Sequence, residues 1–214
     1  ERCKVLIESN HIEIILVDNG STDDSWNFLK ENISDNSKFK SVKLKENKGY
    51  GYGILKGLEH AKGEYLGWTH ADSQTDPNDV LIGHKLLENE TASDIFLKGK
   101  RYGRPKSDLF FTHAMSLIEL ILLKQLLIDI NAQPTLFSRD FYEKWTNPPF
   151  DFSLDLYSYF LAKKNKLKII RFPVAFGKRI YGTSSWNTGL KGRLKFIMRT
   201  LNFSSKLSRE KATF

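Results

Sequence analysis

The chain has 214 residues, a net charge of +8 from 33 Lys and Arg against 25 Asp and Glu, 40% apolar residues and 13% aromatics. That length holds one domain with a substantial core, and the apolar and aromatic content excludes intrinsic disorder. A single cysteine, Cys3, excludes a disulfide framework and a cysteine-rich zinc module, and suits a reducing compartment.

Glu1–Glu8 reads as the tail of a helix. Ile12–Val17 (IEIILV), closed by Asp18, is a short Ile/Val-rich run that predicts a strand buried on both faces. Asn19-Gly20-Ser21 turns the chain, and Ser21 to Asp24 supply N-caps for a helix over Ser25–Asn32. Ser41–Lys45 reads as a second strand. The glycine-rich loop Asn47–Gly53 opens a helix to Ala61, closed by Gly63. Tyr65–Thr69 is a third strand leading into His70-Ala71-Asp72. Pro77 suits the first turn of a helix through Glu90, and Ile95–Leu97 makes a fourth strand.

Leu109–Ile130 is the most apolar long stretch, but His113, Glu119, Lys124 and Asp129 interrupt it. It predicts a long amphipathic helix, buried or membrane-facing, and not a membrane span. A strand near Pro134–Phe137, helices near Arg139–Trp145 and Ser153–Lys164, and a strand at Lys168–Phe172 follow. Leu190–Leu201 is a basic amphipathic helix, suited either to a membrane surface or to packing on the core. It lies in residues 163–211, which hold 14 Lys and Arg against Glu210 alone. Such a quarter fits phosphates, a membrane surface or nucleic acid, or is a solvated face. No stretch has the build of a secretory leader, so the expected location is cytoplasmic, or peripheral on the cytoplasmic membrane face. Strand–helix alternation with short loops predicts an α/β fold with a mainly parallel sheet.

In such sheets ligands bind at the carboxyl ends of strands. Asp18 stands at one such end, where a carboxylate accepts hydrogen bonds from a base or ribose, or caps the next helix. The loop Asn47-Lys48-Gly49-Tyr50-Gly51-Tyr52-Gly53 offers backbone N–H groups, a lysine and a helix N-terminus, a combination that suits phosphate or a plain turn. At the third strand exit, alternate residues of an extended chain point one way, so His70, Asp72 and Gln74 can converge on Mn2+ or Mg2+. Otherwise Asp72 and Asp76 are caps.

In this order the clusters resemble glycosyltransferase family 2, the inverting GT-A enzymes that use nucleotide-sugar donors. Val17-Asp18-Asn19-Gly20-Ser21-Thr22-Asp23 is similar to its V-D-[DN]-G-S-T-D. Asn47-Lys48-Gly49, Gly57 and Ala61-Lys62-Gly63 are similar to its N-x-G … G … A-x-G. His70-Ala71-Asp72-Ser73-Gln74 lies where the family has D-A-D-x-Q. Gly99-Lys100-Arg101, Asp129 to Phe137 and Arg179-Ile180-Tyr181-Gly182-Thr183-Ser184 resemble motifs of the polyprenyl-phosphate branch. Three departures stand out. The family's opening P-x-[YF]-N strand has no counterpart, His70 replaces the first motif Asp, and Gln133-Pro134 replaces Gly-Phe.

The resemblance implies a GT-A, Rossmann-like three-layer sandwich with a mostly parallel central sheet, its first strand missing. Residues 1–188 would form that domain and 189–214 a basic amphipathic segment. Asp18, Asn19, Lys48, Gly49, Ala71 and Asp72 would bind a UDP- or GDP-linked donor, with Asp72, Gln74 and His70 holding Mg2+ or Mn2+. Arg101 and Arg179 would carry acceptor or diphosphate charge. A lipid-phosphate acceptor needs no strong base, whereas a saccharide hydroxyl needs one, for which Asp151 and Asp155 are the candidates. A nucleic-acid binder stacking bases on Tyr157, Tyr159, Phe172, Tyr181 and Trp186 is the rival class. It has no recognisable motif, and no nucleic-acid partner is expected.

Overall fold

The computed structural model describes residues 3–9, 11–33, 38–90, 94–177 and 190–211. After a short helix α1 (Lys4–Glu8), strand β1 (Ile14–Asp18) pairs in parallel with β2 (Phe39–Lys43) across helix α2 (Ser25–Ile33). Helix α3 (Tyr50–His60) leads to β3 (Tyr65–Trp68), α4 (Asp79–Glu88), β4 (Ile95–Tyr102) and α5 (Lys106–Leu123). Strand β5 (Thr135–Ser138), α6 (Arg139–Glu143), α7 (Ser153–Lys164), β6 (Lys168–Ala175) and α8 (Leu190–Lys211) complete the chain. The larger sheet has the order β3-β5-β4-β6.

The α/β layering is the expected one, but the strand directions are more mixed than the sequence suggests. Of four described pairings, β1–β2 and β4–β6 are parallel, while β3–β5 and β4–β5 are antiparallel. The cause lies in residues 103–134, which begin and end at the same end of the sheet. Strand β5 therefore starts beside the carboxyl end of β4, where the Gly99 N–H donates to the Pro134 carbonyl at 3.0 Å, and runs back. Strand β1 is also less enclosed than its apolar run suggests: only Asp18 is buried, the other four residues being half-buried.

Side-chain alternation splits the larger sheet's core in two. Ile95, Leu97, Leu136, Phe172 and Val174 face α4, where Gly83 permits close approach: a Cβ there would lie 2.9 Å from Leu136 Cδ1. Leu66, Trp68, Phe96 and Phe137 face α6 and α7 on the other side, stacked through Phe96 with Phe137 and Tyr159. Helix α7 is buried from Ser153 to Phe160, so it is the central helix of that layer. Helix α8 runs ten residues beyond the amphipathic stretch read from sequence. It packs on α5 and α7, adding Leu207 to the same cluster and donating from Ser204 Oγ to Glu119 Oε2 at 2.7 Å. The basic segment is thus continuous with the domain's core through its second half. Strand β4 is likewise longer than the apolar run Ile95–Leu97, because Lys98 and Gly99 continue it inside the protein.

Candidate functional site

Strands β1, β3 and β4 end on one side of the molecule, and the sequence-derived residues collect there. Asp18 closes β1 and is 4% exposed. Its Oδ1 accepts from the Ser21 N–H at 2.8 Å, as a cap of the turn would, but Oδ2 is buried with no hydrogen-bond partner. A buried, unpaired carboxylate oxygen is costly unless a ligand supplies the donor. Asp18 lines an open cavity of about 790 Å³ with Val17, Asn19, Ser21, Phe28 and Leu29, ample for a nucleotide. Asn19 is held by its amide, which donates to the Gly49 carbonyl at 3.0 Å, while its own Oδ1 is buried and unpaired.

The glycine-rich segment is tied to its own neighbours and to residues 149–151. The Gly49 N–H is taken by Asn47 Oδ1 at 3.0 Å and the Tyr52 N–H by the Phe150 carbonyl at 2.9 Å. Lys48 pairs with Glu46 at 2.8 Å and lies over the Tyr52 ring. The glycines make room for backbone: a Cβ on Gly49 (φ 123°) would sit 2.4 Å from the Phe150 carbonyl oxygen, and one on Gly51 2.5 Å from that of Pro149. The loop therefore docks residues 149–151, which launch α7. Gly49→Ala is expected to cost about 2 kcal/mol or more, roughly 4–8 °C in Tm. An unchanged melting curve would mean that the 149–151 backbone gives way.

At the exit of β3 the chain is bent, not extended. The Gln74 N–H donates to Asp72 Oδ1 at 3.1 Å and Ser73 adopts φ 62°, so alternation fails after Asp72. Gln74 is tied to the end of β6, its amide donating to the Gly177 carbonyl at 3.2 Å. His70 lies against the Tyr50 ring, centroids 5.5 Å apart, and Ala71 is exposed. Among the described residues no three His, Cys, Asp or Glu side chains are grouped to hold a metal ion. A carboxylate from Asp72 and an imidazole from His70 nevertheless suit a divalent cation that completes its shell with diphosphate oxygens and water.

Sequence reasoning missed the buried centre of the site. Asp155, a candidate base by sequence, is 1% exposed and enclosed by the structure. Its Oδ2 accepts from the Tyr50 hydroxyl at 3.1 Å and Asn131 Nδ2 at 3.3 Å. Its Oδ1 accepts from Trp68 Nε1 at 3.3 Å and lies 3.7 Å from the Lys98 ammonium. Gln133 Nε2 donates to the Tyr50 hydroxyl, and Lys98 donates to Thr135 Oγ1 at 2.9 Å. With both oxygens engaged inside the protein, Asp155 is poorly placed to take a substrate proton. Burial pulls the Lys98 ammonium down to about 8, against the opposing pull of Asp155. Burial and the Asp155 charge raise the Tyr50 phenol. The available signal was Lys98 itself, a lysine that directly follows the apolar run Ile95–Leu97 and lies on the same strand face as Phe96.

Arg101 is likewise committed. Its backbone N–H donates to Asp129 Oδ2 at 3.0 Å, and its guanidinium donates to Asp129 Oδ1 through Nε at 2.9 Å and through Nη2. Arg104 Nη1 reaches the same oxygen at 3.3 Å, and Arg171 lies 3.8 Å from Oδ2. Burial alone would raise the Asp129 carboxyl, but the bonds and charge of Arg101, aided by Arg104, hold it low. Three guanidinium groups around one carboxylate leave two positive charges in excess. Arg179, and the motif through Ser184, lie outside the described residues.

A family model described as glycosyl transferase family 2 matches residues 3–164, and no curated protein matches by sequence. Among solved structures the chain is similar to glucosyl-3-phosphoglycerate synthase from Mycobacterium tuberculosis, in complex with Mn2+, UDP and glucosyl-3-phosphoglycerate. That match has a TM-score of 0.64 at 15% identity, over 92% of this chain and 68% of the other. The mannosyltransferase PcManGT from Pyrobaculum calidifontis, in complex with GDP-Man and Mn2+, matches with a TM-score of 0.56 at 19% identity, over 80% and 49%. TarS from S. aureus gives 0.54 at 14%, over 80% and 54%. At such identities the likeness is one of fold.

Proposed function

The chain belongs to glycosyl transferase family 2 and is a glycosyltransferase; on that premise we propose that it moves a sugar from a UDP- or GDP-linked donor to a polyprenyl phosphate at a membrane surface. The observation that carries the donor half is Asp18, which lines a nucleotide-sized cavity and keeps a buried Oδ2 without a hydrogen-bond partner. That oxygen accepts an N–H of the base, while Oδ1 stays with Ser21. Asp72 and His70 would hold a divalent cation at the exit of β3. Bound there, it would supply positive charge to offset the negative charge developing on the leaving nucleoside diphosphate. The acceptor oxygen bonds to the anomeric carbon as the bond to the diphosphate oxygen breaks, with inversion.

A phosphate acceptor, not a hydroxyl, is favoured by the two halves of the acceptor-side geometry. An ionised phosphate needs positioning and charge neutralisation but no base. The excess positive charge at Arg101, Arg104 and Arg171 suits that need. A hydroxyl acceptor needs a base, whereas Asp155 is enclosed and Asp151 is engaged by the Ser153 N–H at 2.8 Å and Arg199 at 3.4 Å. The basic residues 163–211 fit a peripheral site on an anionic membrane face.

The donor reading is tested by titrating UDP and GDP calorimetrically into wild type and Asp18→Asn. The asparagine oxygen keeps the Ser21 bond and turns an NH2 toward the base. Affinity is expected to fall about ten- to a hundred-fold without a change in Tm. Equal affinity in both proteins, or no nucleotide binding by wild type, overturns the assignment.

A further inference from the structure

Helix α5 is amphipathic in the wrong sense for a helix with nothing outside it. At 100° per residue, Leu109, Phe110, Leu117, Leu120 and Ile121 share one arc of about 120°. All five are exposed, Phe110 by 77% and Ile121 by 68%. The inward arc holds Ser116 and Glu119, both buried, beside Met115 and Leu123. Glu119 Oε1 has no partner, and burial raises its carboxyl despite the Ser204 bond. The adjoining α8 also turns Leu194 and Met198 outward, at 59% and 56% exposure. Single exposed apolar residues are ordinary, but five on one arc, interrupted only by the exposed His113, opposite an inner face that buries Ser116 and Glu119, mark a surface that something covers.

Charge selects the occupant. The exposed Lys106 and Lys124 stand at the two ends of α5 and Lys195 beside the α8 pair, whereas the two α5 acids, Asp108 and Glu119, are half-buried and buried. Within α8 the sequence has Glu210 as its lone acid. A second copy meeting this face across a two-fold axis would set the same cations against each other. An anionic lipid surface accepts both the apolar arc and its basic rim. No described helix is long and apolar enough to cross a membrane. We infer that the outward face of α5, flanked by the first turns of α8, lies on an anionic bilayer and seats the enzyme there as a peripheral protein. This deepens the lipid-acceptor reading, on which its purpose rests, and it adds α5 to the basic helix that sequence alone singled out.

The test is co-sedimentation of the full chain with phosphatidylcholine vesicles, with and without phosphatidylglycerol, for wild type and Phe110→Ser/Ile121→Ser. Both side chains are outward, so Tm and UDP or GDP affinity should not change. Wild type is expected to favour the anionic vesicles about ten-fold or more, to lose that preference between 0.1 and 0.5 M salt, and to bind about ten-fold more tightly than the double variant. Equal partitioning of the two proteins, or equal binding to both vesicle types, overturns the proposal. So does a wild-type dimer in sedimentation velocity that the double variant abolishes, since the face then belongs to a second copy. Nucleotide titration on the same samples separates the outcomes: vesicle binding that fails while UDP or GDP still binds removes the docking surface and leaves the donor reading standing.

Discussion

Asp72→Asn is expected to lower sugar transfer by roughly two to four orders of magnitude while leaving the fold intact. The size follows from the several kcal/mol that a metal ion contributes to a transition state carrying charge on its leaving group. The fold should survive because an asparagine oxygen still accepts the Gln74 N–H that Asp72 Oδ1 accepts now. What is lost is the negative charge. A hard cation then faces the neutral nitrogen of His70 and an amide, a set that holds Mg2+ poorly. The measurement is donor binding with Mn2+ and with chelator, in wild type and variant. Wild type should show metal-enhanced affinity and Asp72→Asn should not. Metal dependence that persists unchanged in the variant would place the ion elsewhere.

Asp155→Ala is expected to be the most destabilising single change in the site, by about 3–5 kcal/mol, a fall in Tm on the order of 10 °C. It strips Lys98, which is fully buried, of its counter-charge and leaves the Tyr50 hydroxyl, Trp68 Nε1 and Asn131 Nδ2 short of an acceptor. Lys98→Met combined with Asp155→Leu should recover much of the loss, because the pair costs desolvation that apolar replacements avoid. If the double variant is as unstable as Asp155→Ala, the hydrogen bonds and not the charge dominate.

The same pair makes stability depend on pH. Folded Lys98 releases its proton near 8, whereas the unfolded chain does so near the ordinary 10.5. Between those values the unfolded chain binds more protons, so this group's contribution to stability rises with pH through the window and is lost as pH falls through 8. Urea midpoints at pH 7.5 and 9.5 should show wild type gaining on Lys98→Met. A difference that is flat or of opposite sign would mean that Asp155 keeps Lys98 charged throughout.

The chain by itself determined the elements that depend on local contrast. The Ile/Val run before Asp18 and the apolar spacing of Ser153–Lys164 specify a strand and a helix within a dozen residues, and the structure has them there, whereas the glycines at 51 and 53, which read as loop, lie inside α3, which starts at Tyr50. Because strands end where apolar runs meet polar residues, the positions of Asp18 and Asp72 at strand exits were legible too. Partners were not. Asp155 is met by Tyr50, Trp68, Lys98 and Asn131, which are 24 to 105 residues away in sequence, and periodicity carries no information about such contacts. A charge ended the fourth strand in the sequence reading, yet Lys98 continues β4 because a carboxylate from α7 meets it inside. The direction of β5 was likewise undecided locally, since it depends on which end of the sheet residues 103–134 return to. Tertiary structure also assigned the faces of α5. Spacing marks which residues share a side, but only the packing of α5 on the domain, with Met115, Ser116, Glu119 and Leu123 buried and Glu119 bonded to Ser204, leaves Phe110 and Ile121 facing out.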